Sequence, residues 1–365
     1  MITNNFRKFI WEFDWQLFSA VFLLCLFGLA ALYSVGLGRP DTNFIDFKKQ
    51  IIFLIIGLPI VFIAGRLNFS FFRTFSKPLF FFSLFLLSGV LIFGRVFSGT
   101  RGWFVIGNFS FQPVELAKVA LILILALYAA SRARSFKTFN FFLGSIFLAG
   151  LPIILVIIQP DLGSSILLAA IWFTIILMAS IKRHYLLFLL VGLLIGFFAG
   201  WFFLFKDYQR ERVLTFLNSA RDPYGRGYNA IQSVIAVGSG QFFGRGLGFG
   251  SQSQLRFLPE NQTDFIFAVI AEEMGFVGVL LIIGLYGLLF FRLFKIALSC
   301  REDFSLFVIL GIIGLFFTQF FINIGMNIGI VPVTGITLPF LSAGGSSLLV
   351  NLFLIGIAES VRWSS

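Results

Sequence analysis

Apolar stretches of about twenty residues recur along almost the whole chain, and that recurrence dictates the fold. A bilayer core is about 30 Å thick, so a helix needs roughly 20 apolar residues to cross it. Of the 365 residues, 59% are hydrophobic and only 12% are charged, a balance outside the range of soluble globular domains. The sequence therefore predicts an all-α polytopic membrane protein, with residues 1–365 as one membrane domain. About ten crossings are expected, near 15–35, 50–65, 78–95, 113–131, 141–158, 164–181, 185–205, 266–291, 304–325 and 345–361. There is no internal repeat.

Lysine and arginine gather in cytoplasmic loops, and this bias orients the chain. Arg7 and Lys8, then Arg66, Arg73 and Lys77, then Arg132, Arg134 and Lys137, then Lys182 and Arg183, then Arg292, Lys295 and Arg301 all fall on one face. That face is expected to be cytoplasmic, together with both termini. The net charge of +11 follows from the same bias and does not imply a nucleic-acid partner. Cys25 and Cys300 form no disulfide framework or metal motif, and the single His184 excludes a histidine-based metal site. Residues 1–14 are mixed and charged, with no small-residue cleavage site after the first apolar run, which reads as a retained helix. Gly192, Gly196 and Gly200 make a small-residue packing stripe. Pro152 is expected to kink the fifth helix.

The alternate face carries the unusual residues. It takes the long loop 206–263, "SGTRGW" at 98–103, "FQPVELAK" at 111–118, "QPDLGSS" at 159–165 and "VPVTGITLPFLSAGGSS" at 331–347. The long loop is net basic through Lys206, Arg210, Arg212, Arg221, Arg226, Arg245 and Arg256, against Asp207, Glu211, Asp222 and Glu260. This favours an anionic ligand, since the arginine fork matches phosphate oxygens. Within the loop, Ile231, Val234 and Ile235 sit at helical spacing and suggest an interfacial amphipathic helix. "GRGLGFG" at 244–250 lacks the strand of a dinucleotide loop and reads as a tight turn or gate.

Ionisable residues inside a membrane segment are costly and default to a functional hypothesis. Pro113 fits a helix's first turn, which makes Gln112 a candidate cap and puts Glu115 and Lys118 at i, i+3. The pair is either a salt-bridged helix start or a substrate contact. Asp161 reads chiefly as an N-cap. Asp264 opens an apolar helix, where it could cap, take a proton or hold a divalent cation. Glu272 and Glu273 lie in the same helix, and at least one must point into protein. The proline- and glycine-rich 331–347 segment is tolerable at membrane depth only if buried or lining a cavity. Its Ser342, Ser346 and Ser347 are capping residues or ligand donors.

Together, "FQPVELAKVALIL", "QPDLGSSIL", "DYQRERV", "DPYGRGYNAIQSVIAVGSG", "SQSQLRFLPENQTDFIFAVIAEEMG" and "VPVTGITLPFLSAGGSS" resemble the shape, elongation, division and sporulation (SEDS) family. "SQSQLRFLPE" is similar to the rod-shape branch more than to the division branch. Two positions depart from the family pattern: Gln262 where relatives often have His, and Ala343 where many have Tyr. The resemblance implies a peptidoglycan glycosyltransferase of the cytoplasmic (inner) membrane, acting on lipid II at its outer face to build β-1,4 glycan for cell elongation and shape. It implies Asp264 as the essential acid and Glu115 and Lys118 as the intramembrane pair; Asp161, Ser342 and Ser346 stand beside them as candidate substrate contacts. Arg101, Arg210 and Arg212 become candidates for pyrophosphate contacts. It further implies a class B penicillin-binding protein (a transpeptidase) and other elongation-complex proteins as partners, and leaves Mg or Mn at Asp264 open. A lipid II flippase is the rival reading.

Overall fold

The computed structural model describes residues 12–38, 44–97, 99–107, 109–132, 138–179, 226–255 and 257–364, with isolated positions between 136 and 214. It is mostly helical. Among the described residues eight helices are long and apolar enough to cross a membrane: α1 (Trp15–Leu37), α2 (Ile45–Arg66), α3 (Phe69–Phe93), α4 (Pro113–Ser131), α5 (Phe139–Ile158), α9 (Ile266–Ser299), α10 (Asp303–Asn327) and α11 (Gly345–Ser364). Helix α6 (Leu162–Met178) is apolar but shorter. The seventh expected crossing, 185–205, lies outside the described residues apart from isolated positions. The chain is a multi-pass membrane protein.

Helix α4 is the axis of the bundle and packs on α3, α5, α6, α10 and α11. After Lys118 its run of Val, Ala, Leu and Ile is apolar as far as Tyr128, and the helix is buried almost all round. Helix α3 lies at the rim, where Phe81, Phe82, Phe85, Ile92 and Phe93 project outward. Two boundaries shift from expectation. Helix α3 begins at Phe69, capped by the Asn68 side chain, so Pro78 is internal and Arg73 and Lys77 stand on helix rather than in a loop. Helix α9 continues to Ser299, which carries Arg292 and Lys295 on it as well.

A purely helical reading misses one element. Strands β1 (Arg95–Phe97), β2 (Thr100–Ile106) and β3 (Phe109–Phe111) form an antiparallel sheet in the order β1-β2-β3 between α3 and α4. Phe97 pairs with Thr100, and Phe104 with Phe111. The backbone N–H of Arg101 donates to the Gln159 carbonyl at 3.2 Å, which pins the sheet over the start of α6.

The chain's two described ends meet at one end of the bundle. Asp14 caps α1, accepts both Nε and Nη2 of Arg292 at 2.9 and 2.6 Å, and donates its backbone N–H to Glu359 of α11. At the other end, helix α7 (Arg226–Ser239) lies against α9 through Ala236, while Val234 and Ile235 face outward as an amphipathic helix requires.

Helix α9 is broken at Gly275, whose φ of 65° and ψ of −162° belong to a region essentially restricted to glycine. The segment after α7 fills the break. Arg245 and Gly246 donate N–H groups to the carbonyls of Glu272 and Glu273, while Phe276 and Val277 donate to Gln241 and Phe242. The "GRGLGFG" stretch is thus a tight turn docked on a helix. A Cβ at 275 would collide with the Gly244 nitrogen and stand 2.7 Å from the Phe242 carbonyl oxygen. Gly275→Ala is expected to cost on the order of 1–3 kcal/mol in backbone strain alone. Thermal melting in detergent should drop by several degrees; an unchanged melt would uncouple the turn from the helix.

Candidate active site

Helices α4, α6, α9 and α11 all begin at the same end of the bundle. Their first turns, the β-sheet and the 331–344 segment enclose a cavity of about 790 Å³. Glu115, Lys118, Asp161, Asp264 and Ser346 all line it, so five residues from four distant sequence motifs come together. Asp46, Gln112, Trp103, Glu260 and Gln319 complete much of the polar wall.

The Glu115–Lys118 pair sits on the first turns of α4, with Lys118 Nζ 2.7 Å from Glu115 and their side chains 8% and 2% exposed. The salt-bridge reading holds, and both residues of the pair also line the cavity. Gln112 precedes Pro113 at the cap position but does not cap α4 with its side chain. Its amide donates instead to Asp161 at 3.2 Å. Asp161 is the N-cap of α6, accepting from Ser164 N at 2.9 Å and Ser164 Oγ at 2.7 Å. The capping reading of Asp161 is correct, and the residue also lines the cavity.

Asp264 stands one residue ahead of the α9 cap position, which Phe265 occupies. Its backbone is held from three sides. Its N–H donates to the Glu260 carbonyl at 3.1 Å, and its carbonyl accepts from Asn323 and Asn327 of α10 at 3.0 and 3.1 Å. The Asn323 amide also donates to the Ile336 carbonyl at 2.8 Å. Asn327 Oδ1 accepts from Ala268 N and Ser233 Oγ, which ties α7 and α9 into the same knot. Both asparagines are fully buried. Across the cavity wall, Gly335 has φ +76° and brings backbone so close that a Cβ there would stand 3.6 Å from the Asp264 carboxylate. The asparagine pair, "NIGMN" at 323–327, is the part of the site that sequence reasoning missed. Its signal was a series of amides at four-residue spacing, Gln319, Asn323 and Asn327, in a largely apolar helix.

Other expected contacts lie elsewhere. Ser342 does not line the cavity: its hydroxyl donates to the Thr263 carbonyl at 2.6 Å and accepts Leu338 N–H at 2.9 Å. It fastens the last loop to the Asp264 segment. Arg101 turns away, donating to the Leu91 carbonyl at 3.2 Å, because the last turn of α3 offers it an acceptor. Arg210 donates to the Phe202 carbonyl at 3.4 Å. Arg212 lies outside the described residues. Among the described residues, Lys118 is therefore the one basic side chain on the cavity wall, facing Asp46, Glu115, Asp161, Glu260 and Asp264. The two positions that depart from the family pattern touch each other: Ala343 N donates to the Gln262 carbonyl at 2.9 Å.

Glu272 and Glu273 are both buried and point away from this cavity into the packing around α8 (Ser251–Gln254). Glu272 accepts the N–H groups of Gln252 and Ser253 at 2.8 and 3.0 Å. Glu273 accepts Ser34 Oγ and the Gln254 amide. They hold loop and helix together. Among the described residues no three His, Cys, Asp or Glu side chains cluster as a metal site.

The FtsW/RodA/SpoVE sequence model, described as a cell cycle protein, matches residues 14–365. The chain belongs to this family. Stage V sporulation protein E of Bacillus subtilis (strain 168) is 38% identical over 95% of this chain and 96% of its own length. The peptidoglycan glycosyltransferase MrdB of Escherichia coli (strain K12) is 37% identical over 93% of this chain and 91% of its own. The fold is similar to a chain solved for the structural coordination of polymerization and crosslinking by a peptidoglycan synthase complex, with a TM-score of 0.81 and 36% identity. That match covers 96% of this chain and 98% of the other.

Breaking a buried ion pair by removing one partner typically costs about 3–5 kcal/mol, whereas replacing both by apolar residues is often neutral. In this FtsW/RodA/SpoVE chain, Lys118→Met should therefore lower the melting temperature more than the double change Lys118→Met with Glu115→Leu. A double variant as unstable as the summed singles would show that each charge is held independently.

Proposed function

We propose that this chain polymerises lipid II into β-1,4-linked glycan at the outer face of the cytoplasmic membrane, releasing undecaprenyl pyrophosphate. That it is a glycosyltransferase rests on family membership and on relatives such as MrdB, a named peptidoglycan glycosyltransferase. The observation that carries the rest is the meeting of Asp264, a carboxylate held by its backbone, with Lys118 in one cavity at one end of a membrane bundle. The positive-inside bias of the loops supports an extracytoplasmic cavity.

The donor sugar is α-linked to pyrophosphate and the product is β-linked, so one inverting displacement suffices. The acceptor 4-hydroxyl oxygen attacks the anomeric carbon. The new C–O bond forms as the bond to pyrophosphate breaks, and the electron pair leaves with the pyrophosphate. Asp264 takes the hydroxyl proton, a contribution typically worth ~10²–10⁴-fold. Lys118 Nζ faces the leaving anion, and the N-terminal turns of α4, α6 and α11 add their positive dipole ends. A Mg or Mn ion, if bound, would be held by the Asp264 carboxylate and would supply positive charge to the leaving pyrophosphate in place of that residue's role as base. The elongation role rests on the likeness of "SQSQLRFLPE" to the rod-shape branch, and the similar sporulation relative makes complementation of a rod-shape mutant its proper test. A penicillin-binding transpeptidase and other elongation-complex proteins are the proposed partners, supported by the polymerization and crosslinking complex that this fold resembles.

Asp264→Asn keeps shape and removes charge. In a polymerisation assay on purified protein it should lose at least about 100-fold in rate while its melt and gel-filtration profile stay unchanged. Wild-type polymerisation by that variant overturns the assignment. Polymerisation by wild type in detergent, where nothing needs to cross a bilayer, separates the enzyme from a flippase. Asn323→Ala should lower kcat by about 10–100-fold with little change in KM, because a misplaced base loses reactivity before it loses substrate. An unaltered kcat returns Asn323 to packing alone.

A further inference from the structure

Helices α2 and α11 begin at the cavity and end, about 30 Å away by helix rise, at Arg66 and Ser364. There a second opening of about 470 Å³ lies at the opposite end of the bundle. Its wall draws Arg66 from the end of α2, Ser70 and Arg73 from the start of α3, Arg301 from the α9–α10 connection, Ser305 from the start of α10, and Trp363 from the end of α11. The three arginines come from three separate elements, yet face one concavity. Among the described residues one carboxylate lies on the wall, Glu302, and it forms an ion pair with Arg73 at 3.7 Å, longer than a hydrogen bond. Among the described residues, neither Arg73 nor Arg301 donates a side-chain hydrogen bond. The Arg73 guanidinium lies 6.0 Å over the Phe304 ring, which steadies its plane.

Guanidinium forks that converge on a cleft at a membrane boundary match the oxygens of phosphate, and a tryptophan at the same level suits the glycerol and acyl junction of a lipid. We infer that this opening binds a phosphate-bearing headgroup, with Arg66, Arg73 and Arg301 holding the phosphate and Trp363 beside the adjoining chain. The ligand chemistry is a phosphate mono- or diester. Its source is either an anionic phospholipid of the adjacent leaflet or a soluble phosphate ester. The site is distinct from the cavity around Asp264 and does not rest on the reaction proposed for it.

The test uses the full chain purified in detergent and read by native mass spectrometry. The probes are phosphatidylglycerol, phosphatidylcholine and inorganic phosphate, each titrated alone and in competition. A basic residue at an anionic surface is worth about fivefold in binding, so three give a preference of at least roughly tenfold even with Glu302 nearby. The wild type should retain one phosphatidylglycerol at least about tenfold more tightly than phosphatidylcholine. Arg66→Gln, Arg73→Gln and Arg301→Gln together should erase that preference. The single Arg301→Gln, in an exposed turn, should reduce it severalfold and covers the case in which the triple variant does not fold. Displacement of phosphatidylglycerol by inorganic phosphate at equal concentration bears out the phosphate site and assigns it to soluble esters; resistance to displacement assigns it to lipid. Equal retention of the two lipids by the wild type, or an unchanged preference in both variants, overturns the proposal.

Discussion

A peptide group that leaves helical geometry inside hydrocarbon must find its partner within the protein, and this requirement shapes the functional end of the molecule. Beyond the β-sheet, three of the chain's departures from helix bear on this end of the bundle: before α9, at Gly275 and through 328–344. Each departure is answered by a specific donor or acceptor. Asn323 and Asn327 supply amide hydrogens to the Asp264 and Ile336 carbonyls. The turn at 244–246 supplies the N–H groups that the broken helix no longer provides. Ser342 closes the remaining gap between the two irregular segments. Irregular backbone frees Asp264 from a place in the helical ladder, and the amides restore its fixed position.

Charge follows the same logic. A carboxylate in this setting needs either a cation or donors, and the structure divides the acids accordingly. Glu115 has Lys118, Asp161 has the first turn of α6 with Gln112, and Glu272 and Glu273 have the 248–254 region. The cavity wall that results is acid-rich, with a single ammonium among the described residues. Such a wall discriminates among anions by position: a phosphate is favoured beside Lys118 and the helix N-termini and repelled elsewhere.

The helical plan was legible because twenty apolar residues in a row admit few alternatives, and Glu115, Lys118, Asp161 and Asp264 were legible because charge is scarce there. What escaped was tertiary. Strands of three residues such as "RVF" and "FSF" carry too little periodicity to separate from loop. Arg101 reads as a phosphate ligand until α3 puts the Leu91 carbonyl within reach. Ser342 and Ser346 are indistinguishable in sequence, yet one is spent on backbone and the other faces the cavity. Asn323 and Asn327 look like polar interruptions of a span until the fold brings the Asp264 carbonyl to them.

The bond between Ala343 N and the Gln262 carbonyl runs through main chain alone. Side chains at both positions can therefore change without loosening the wall beside Asp264. Only position 343 opens onto the cavity. A methyl group there leaves free space that a larger ring would occupy, so that one site adjusts cavity volume independently of wall stiffness. Selectivity towards bulky ligands can drift at residue 343 while the geometry around Asp264 is kept intact.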